Sequence, residues 1–255
     1  MAPVEALIRE DLASALDPVY FARRLGFEPD PWQAEVLRSP AKRIILNCCR
    51  QSGKSSVAAT LAVHTALYRP PALVLLLSPT LRQSSELFRK ALGLYRQIAP
   101  ELPPPEAESA LRLELANGSR IVSLPGKEQT IRGFSGVDLL VVDEAARVPD
   151  ELYQAVRPML AVSEGRLILL STPYGRSGFF YRTWVEGGPE WLRIKVTALE
   201  CPRISAEFLE EERRTLPTWW FRQEYLCEFE DSEAQVFPST AIQKAFSEEV
   251  ERWRL

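Results

Sequence analysis

From Arg43 to Pro173, apolar runs of strand length alternate with longer, helix-spaced stretches. The runs are Arg43 to Asn47, Ala72 to Leu77, Val137 to Val142 and Arg166 to Leu170. The second is apolar throughout, and a run without polar alternation suits a parallel strand covered on both faces. Helices are predicted for Ser55 to Tyr68, stopped by Pro70-Pro71, for Leu81 to Ile98 after Ser78-Pro79-Thr80, and for Asp150 to Ala161. Two alternating runs, Leu111 to Leu115 and Arg120 to Leu124, flank Asn117-Gly118, a strong hairpin signal. The hairpin is expected to add antiparallel strands at the sheet edge. The alternation as a whole argues a doubly wound, mainly parallel sheet between helical layers.

The flanks read differently. Met1 to Pro31 carries an amphipathic row, Val4, Leu7, Ile8, Leu12 and Leu16, broken at Asp17-Pro18, and is predicted to form one or two helices as an appendage over 1–31. A short helix then runs from Trp32-Gln33 to Leu37 and opens a core over 32–198. After Pro173 a shorter helix, a strand from Leu192 to Thr197 and two helices from Ser205 to about Cys227 are expected. That last part is acidic and aromatic, with Trp219, Trp220, Phe221 and Tyr225, and reads as a small packed lid and linker over 199–255. There is no internal repeat.

Composition narrows the function classes. At 255 residues, 46% hydrophobic and 25% charged, the chain suits one large α/β core with an appendage. No window approaches the roughly 18 to 20 uncharged apolar residues of a membrane span, and Met1 to Glu10 lacks the blocks of a signal peptide, so a cytosolic protein is expected. Cys48, Cys49, Cys201 and Cys227 form no CxxC pair, which suggests neither a zinc site nor a disulfide framework. His64 is the single histidine and falls inside a predicted helix, so serine–histidine chemistry has one base to draw on. A net charge of −3 confines any nucleic-acid contact to a local patch. The excess of arginine over lysine fits a thermophilic source or a GC-rich genome equally.

The chemistry is carried by three strand ends. Cys48-Cys49-Arg50-Gln51-Ser52-Gly53-Lys54-Ser55 follows a strand and precedes a helix, as a phosphate-binding loop does. In that reading Lys54 holds β- and γ-phosphates, and the Ser55 hydroxyl ligates Mg²⁺. Cys48 stands where the general motif has its first glycine, and a turn with a surface lysine is the bland alternative. Leu139 to Val142 ends in Asp143-Glu144 at the carboxyl end of a strand, where open α/β sheets bind ligands. Asp143 suits the Mg²⁺ shell and Glu144 suits polarisation of the attacking water. Alone it is an ordinary strand exit; joined to Lys54 across an intervening strand, it argues an ATPase of the additional-strand, catalytic-glutamate (ASCE) branch of three-layer P-loop NTPases. In that branch the strand ending in Ser171-Thr172-Pro173 lies between the two motif strands, so Thr172 falls near the γ-phosphate.

With these residues in place, the chain resembles the ATPase domain of the large terminase subunit, the DNA-packaging motor of tailed phages. Arg50-Gln51-Ser52-Gly53-Lys54-Ser55 is similar to that family's variant phosphate loop, and Leu-Val-Val-Asp-Glu-Ala-Ala, Ser-Thr-Pro-Tyr-Gly, Ile-Arg-Gly-Phe-Ser and the tail Gln223 to Phe229 add to the likeness. These motifs extend from Trp32 to about Phe237. The resemblance implies Mg²⁺-dependent ATP hydrolysis coupled to translocation of double-stranded DNA in the host cytoplasm, away from membranes. It implies a portal protein and a small terminase subunit as partners, and a pentameric homo-oligomeric ring on the portal with the isolated chain monomeric. Gln33 corresponds to an adenine-contacting glutamine, with a helix-start glutamine as the alternative. Arg50 reaches the γ-phosphate or a neighbouring acid, Ser171 and Thr172 form a coupling motif, and Arg132 corresponds to an arginine finger.

The Arg132 loop precedes the strand ending in Asp143, so it is expected to start from the sheet edge opposite the nucleotide. A neighbour's ATP is then easier to reach than its own, and an arginine supplied in trans accelerates phosphoryl transfer by roughly 10³ to 10⁵. The alternative for Arg132 is a contact to DNA or to a surface acid. Arg96, Arg112, Arg120 and Lys127, near the hairpin, are candidate DNA-backbone contacts, or equally solvated side chains. Large terminases usually continue into a nuclease domain; none is expected in a chain ending at Leu255, and Glu210, Glu211 and Glu212 read as a solvated helical face. Rival readings are a helicase-like or DNA-repair ATPase and a slow, ATP-dependent docking module.

Overall fold

The computed structural model describes residues 4–126, 133–231 and 245. Its centre is a sheet of eight strands among the described residues: β1 (Arg43–Cys48), β2 (Leu73–Ser78), β3 (Ala107–Glu108), β4 (Arg112–Glu114), β5 (Arg120–Pro125), β6 (Leu139–Asp143), β7 (Arg166–Ser171) and β8 (Trp191–Val196). The order across the sheet is β3-β4-β5-β2-β6-β7-β1-β8. From β5 to β8 every pairing is parallel. The additional strand, β7, lies between β6 and β1, so the Asp143 strand and the phosphate-loop strand are separated by one strand, as the ASCE arrangement requires.

Strand alternation divides the core into two. Ile44, Leu46, Val74 and Leu76 face one layer, made by α2 (Pro18–Arg24), α3 (Pro31–Arg38), α4 (Lys54–Tyr68) and α5 (Leu81–Ile98). Ile45, Leu75, Leu77 and Leu169 face the other, made by α6 (Asp150–Val156) and α7 (Gly178–Glu186). Successive side chains leave a strand on opposite faces, so a run apolar at every position needs cover on both. A third cluster joins Cys49 to Ala198, Cys201, Leu209, Phe221 and Cys227, which seats α8 (Ala206–Thr215) and α9 (Thr218–Leu226) against the β1 end of the sheet.

One expectation is refined and two change. The hairpin sits at the sheet edge, but only β3–β4 and β4–β5 are antiparallel; β5 joins β2 in parallel, Leu73 opposite Arg120 and Ser78 opposite Pro125. The loop after β5 therefore leaves from the same edge as the phosphate loop, with Gly126 against the carbonyls of Ser78 and Pro79. The expectation that the Arg132 loop starts at the opposite edge is corrected by this register, and Arg132 and Lys127 themselves lie outside the described residues. Finally, α6 stops at Val156 and continues as a 3-10 turn, Arg157–Leu160, because Pro158 removes a backbone donor.

The N-terminal helices are unequal. Val19, Phe21 and Ala22 of α2 are buried in the main core. The amphipathic row of α1 (Val4–Leu16) faces outward instead, with Leu16 77% exposed, because α2 and α3 already cover α4. Contacts of α1 with α4 are polar: Tyr68 donates to Asp11 Oδ1 at 2.9 Å, and His64 Nε2 lies 3.0 Å from Ser14 O.

Candidate active site

Strand β1 delivers the chain to the sheet edge, where Gln51 and Gly53 both take left-handed backbone conformations, φ +61° and +89°. Alternating handedness turns successive N–H groups inward, and α4 aims its positive end at the same concavity. Gly53 must be glycine twice over: a Cβ there would also stand 2.6 Å from Gln33 Nε2. The loop is braced from within and from two sides. Ser52 Oγ donates to Cys49 O at 2.9 Å, while Gln33 Nε2 and Arg203 Nη2 donate to Ser52 O at 3.1 Å and 2.6 Å. Arg203 is itself held by Asp30, at 3.1 Å and 2.6 Å. Gln33 Oε1 accepts the Asp30 N–H at 2.8 Å, so the helix-start alternative is present in full and the Gln33 amide serves the loop.

Lys54 and Asp143 are buried, and Lys54 Nζ lies 3.3 Å from Glu144 Oε1. Burial alone would lower the Lys54 pKa, but the Glu144 and Asp143 carboxylates outweigh it and hold the ammonium above its usual range. Burial, and then the charge of Glu144, pushes Asp143 up to about 6. A carboxylate made this uncomfortable is one that a cation would relieve. Glu144 sits at φ +50°, a left-handed conformation rare outside glycine and asparagine, where strain is held in place by its surroundings. Its N–H is fixed by Asp143 Oδ1 at 3.0 Å.

At the end of β7, Ser171 Oγ donates to Thr172 O at 2.7 Å, and Thr172 Oγ1 is buried with no hydrogen-bond partner among the described residues. An orphaned buried hydroxyl in the middle of the sheet edge is a polar group awaiting one. Helix α9 touches all three strand ends. Glu224, 2% exposed, accepts from Arg50 Nε at 2.6 Å and stands 3.9 Å from Arg147; Gln223 Oε1 faces Gly175 N at 3.4 Å; and Asn47 Nδ2 donates to Cys227 O at 3.0 Å. Arg147 also lies over the Tyr174 ring, 4.1 Å from its centroid. The four cysteines are free and buried, and burial pushes Cys48 and Cys49 up to about 12, which leaves them packing residues.

One cleft of about 660 Å³ unites Gln33, Arg50, Gln51, Gly53, Lys54, Ser55 and Glu144, with Ser52 and Asp143 buried behind it. A cavity of similar volume, about 680 Å³, lies among Leu199, Leu209, Phe221 and their neighbours in the lid, away from these groups. Arg96 and Arg120 are at the opposite edge of the sheet, since Arg120 pairs with the first residue of β2 and α5 runs back from the cleft to Arg96, whereas Arg112 pairs with Val122, level with the middle of β2. Arg96 is already paired with Glu108 at 2.6 Å and Arg112 with Glu114, while Arg120 is exposed. The cleft also contains Phe27, Gln83, Lys90, Arg147 and Arg203, none of which sequence reasoning singled out. Proximity in the chain, of Phe27 to Gln33 and of Arg147 to Glu144, is the signal that could have pointed to two of them.

The family described as "Terminase large subunit, T4likevirus-type, N-terminal" matches residues 45–244. The chain belongs to this family. Among its relatives, the large terminase subunit of Thermus virus P23-45 is 28% identical over 251 residues, which is 85% of this chain and 52% of the relative. That of Escherichia phage T5 is 29% identical over 222 residues, 83% of this chain and 50% of the relative. The chain thus spans about half the length of the curated relatives it matches. The large terminase ATPase domain of Thermus phage P74-26 superposes with a TM-score of 0.74 at 27% identity, over 82% of this chain and 97% of that one. The terminase chain keeps the motif order and the sheet order together, with the Lys54, Glu144 and Thr172 ends adjacent at one edge.

Proposed function

We propose that this chain is the ATP-hydrolysing motor domain of a genome-packaging terminase, driving double-stranded DNA into a procapsid. The observation that carries the reading is the meeting of Lys54, Asp143 and Glu144 in one cleft, on a phosphate loop of terminase sequence. The family match favours it over a helicase-like or repair ATPase.

The donor set fits Mg²⁺. The Ser55 hydroxyl and the buried Asp143 carboxylate are hard oxygen donors, and among the described residues no cluster of three or more acids, cysteines or histidines forms a closed protein cage. Mg²⁺ is commonly held by one or two protein oxygens and substrate phosphates, which is this pattern. Bound there, it would neutralise developing phosphate charge. The chain's own groups do the rest. Loop N–H groups and Lys54 hold the phosphates, which draws Lys54 from Glu144 and frees that carboxylate to orient water and take its proton. Arg50, now on Glu224, can exchange that carboxylate for a phosphate, and Thr172 offers its unpaired hydroxyl to the γ-phosphate side. Release of Glu224 by Arg50 would free α9 to shift against the loop, which is how turnover would move the lid.

In the full motor the chain would act as one subunit of a homo-oligomeric, pentameric ring on a portal protein, supplied by a small terminase subunit. DNA would be held through its backbone phosphates by Arg120 and Lys127, with Arg96 and Arg112 contributing only by giving up Glu108 and Glu114. Arg132 would complete a site as the arginine finger, with its loop rooted at the nucleotide edge. Mixing Arg132→Ala with Glu144→Gln tests whether it does so in trans. Recovery of ATPase activity that neither variant has alone is expected; a mixture as inactive as its parts contradicts the ring.

A further inference from the structure

At the sheet edge opposite the phosphate cleft, where β6 and β7 begin, a recess of about 190 Å³ is walled by Lys42, Arg69, Asp138, Ser163, Glu164 and Arg166. Three cations against two acids leave it positive, in a chain whose net charge is −3. The acids are also engaged: Glu164 pairs with Lys42, and Asp138 Oδ2 accepts the Leu73 N–H at 2.8 Å. Neither Arg69 nor Arg166 makes an ion pair among the described residues.

Arg166 has a structural duty. Its Nε and Nη2 donate to Ala41 O at 3.2 Å and to Ser39 O at 3.1 Å, which ties β7 to the end of α3. That duty leaves Nη1 without a partner among the described residues, and it does not explain a second guanidinium beside the first. Burial, and then the charge of Arg69, pushes the Arg166 pKa down to about 10. Two like charges in a half-buried recess repel, and an anion between them replaces the repulsion with charge-assisted hydrogen bonds. Ser39, in the same wall, accepts the Ala41 N–H on Oγ at 3.1 Å and keeps its own proton to donate.

We propose that this recess is an oxyanion site that takes one phosphate group between Arg69 and Arg166, remote from the nucleotide. The planar fork of arginine matches phosphate oxygens. The volume lies below the roughly 300 Å³ at which sites for drug-sized ligands begin, so a phosphate group fits and a whole nucleotide does not. A free phosphate ion and a phosphodiester of a nucleic-acid backbone share this chemistry. They differ in reach: Arg120, exposed at the start of β5, lies along the same edge, where a backbone would run on.

Arg69→Gln removes an exposed guanidinium that takes no part in the phosphate cleft, so fold and nucleotide site stay intact. Wild type and variant, with the cleft saturated by Mg²⁺ and a non-hydrolysable ATP analogue, are titrated with inorganic phosphate by calorimetry and with a short DNA duplex in rising salt. If the source is the free ion, Arg69→Gln weakens phosphate binding by roughly tenfold or more. If it is a backbone, the slope of log affinity against log salt for the duplex falls by about 0.9, the share of one phosphate contact. Glu164→Gln, which removes an acid and releases Lys42, is expected to tighten whichever binding Arg69→Gln weakens. Unchanged phosphate affinity together with an unchanged duplex slope in Arg69→Gln overturns the proposal, as does a wild-type chain that binds neither probe.

Discussion

His64 is buried and neutral by circumstance: its Nε2 lies 3.0 Å from Ser14 O, the rings of Phe21 and Tyr68 flank it, and burial holds its pKa below the ordinary 6.5. Below about pH 6.5 the unfolded chain therefore binds a proton that the folded one resists, so folding stability falls as pH falls, by at most about 1.4 kcal/mol per pH unit for one group. Asp143, raised by burial to about 6, works in the opposite sense, since the folded state takes its proton first. Comparison with His64→Gln separates the two. Denaturant unfolding between pH 7.5 and 5 should show wild type losing stability relative to the variant; parallel curves would count against the buried neutral imidazole. Single residues at the site were legible where chemistry demands one residue type: Gly53, Lys54, Asp143 and Glu144 follow from a strand, a tight turn and a helix. Gln33 was legible as a site residue and as a helix-start glutamine facing Asp30 N, but its other partner, Ser52 O, is a backbone atom that no sequence pattern shows.

Among elements, strands read most clearly. β2 is buried at every position, and its apolar run says so; β3, two residues long and exposed, gives no such signal. The direction of β5 was not legible, because a hairpin fixes how β4 and β5 pair and says nothing of how β5 meets β2. Helices α1 and α2 reverse what their apolar patterns suggest. The amphipathic row is on α1 and faces out, whereas α2, only seven residues long, puts Phe21 wholly inside. Phe21→Ala should cost about 3–5 kcal/mol, as for other buried aromatics, and Leu12→Ala less than about 0.5 kcal/mol. Equal effects in chemical denaturation would show that α2 is an appendage after all. In packing, α2 joins the core and α1 does not.

At the scale of the whole molecule, the site is assembled from segments far apart in the chain. Arg203 reaches Ser52 across 151 positions, and Arg50 reaches Glu224 across 174. Motif order foretold that the three strand ends would meet, since right-handed crossovers in a parallel sheet leave few alternatives. It could not foretell which lid residues would close over them, because an arginine and a glutamate in surface-like helices have many possible partners. What the assembly does, on this account, rests on Glu144, held by Lys54 and released when phosphates take the lysine. The direct measurement is turnover at saturating Mg²⁺-ATP, with ADP affinity, for wild type and Glu144→Gln. The account predicts a fall in kcat of about 10²–10⁴, the scale of a lost general base, with ADP affinity kept within a few-fold. A variant that hydrolyses ATP at the wild-type rate would contradict it.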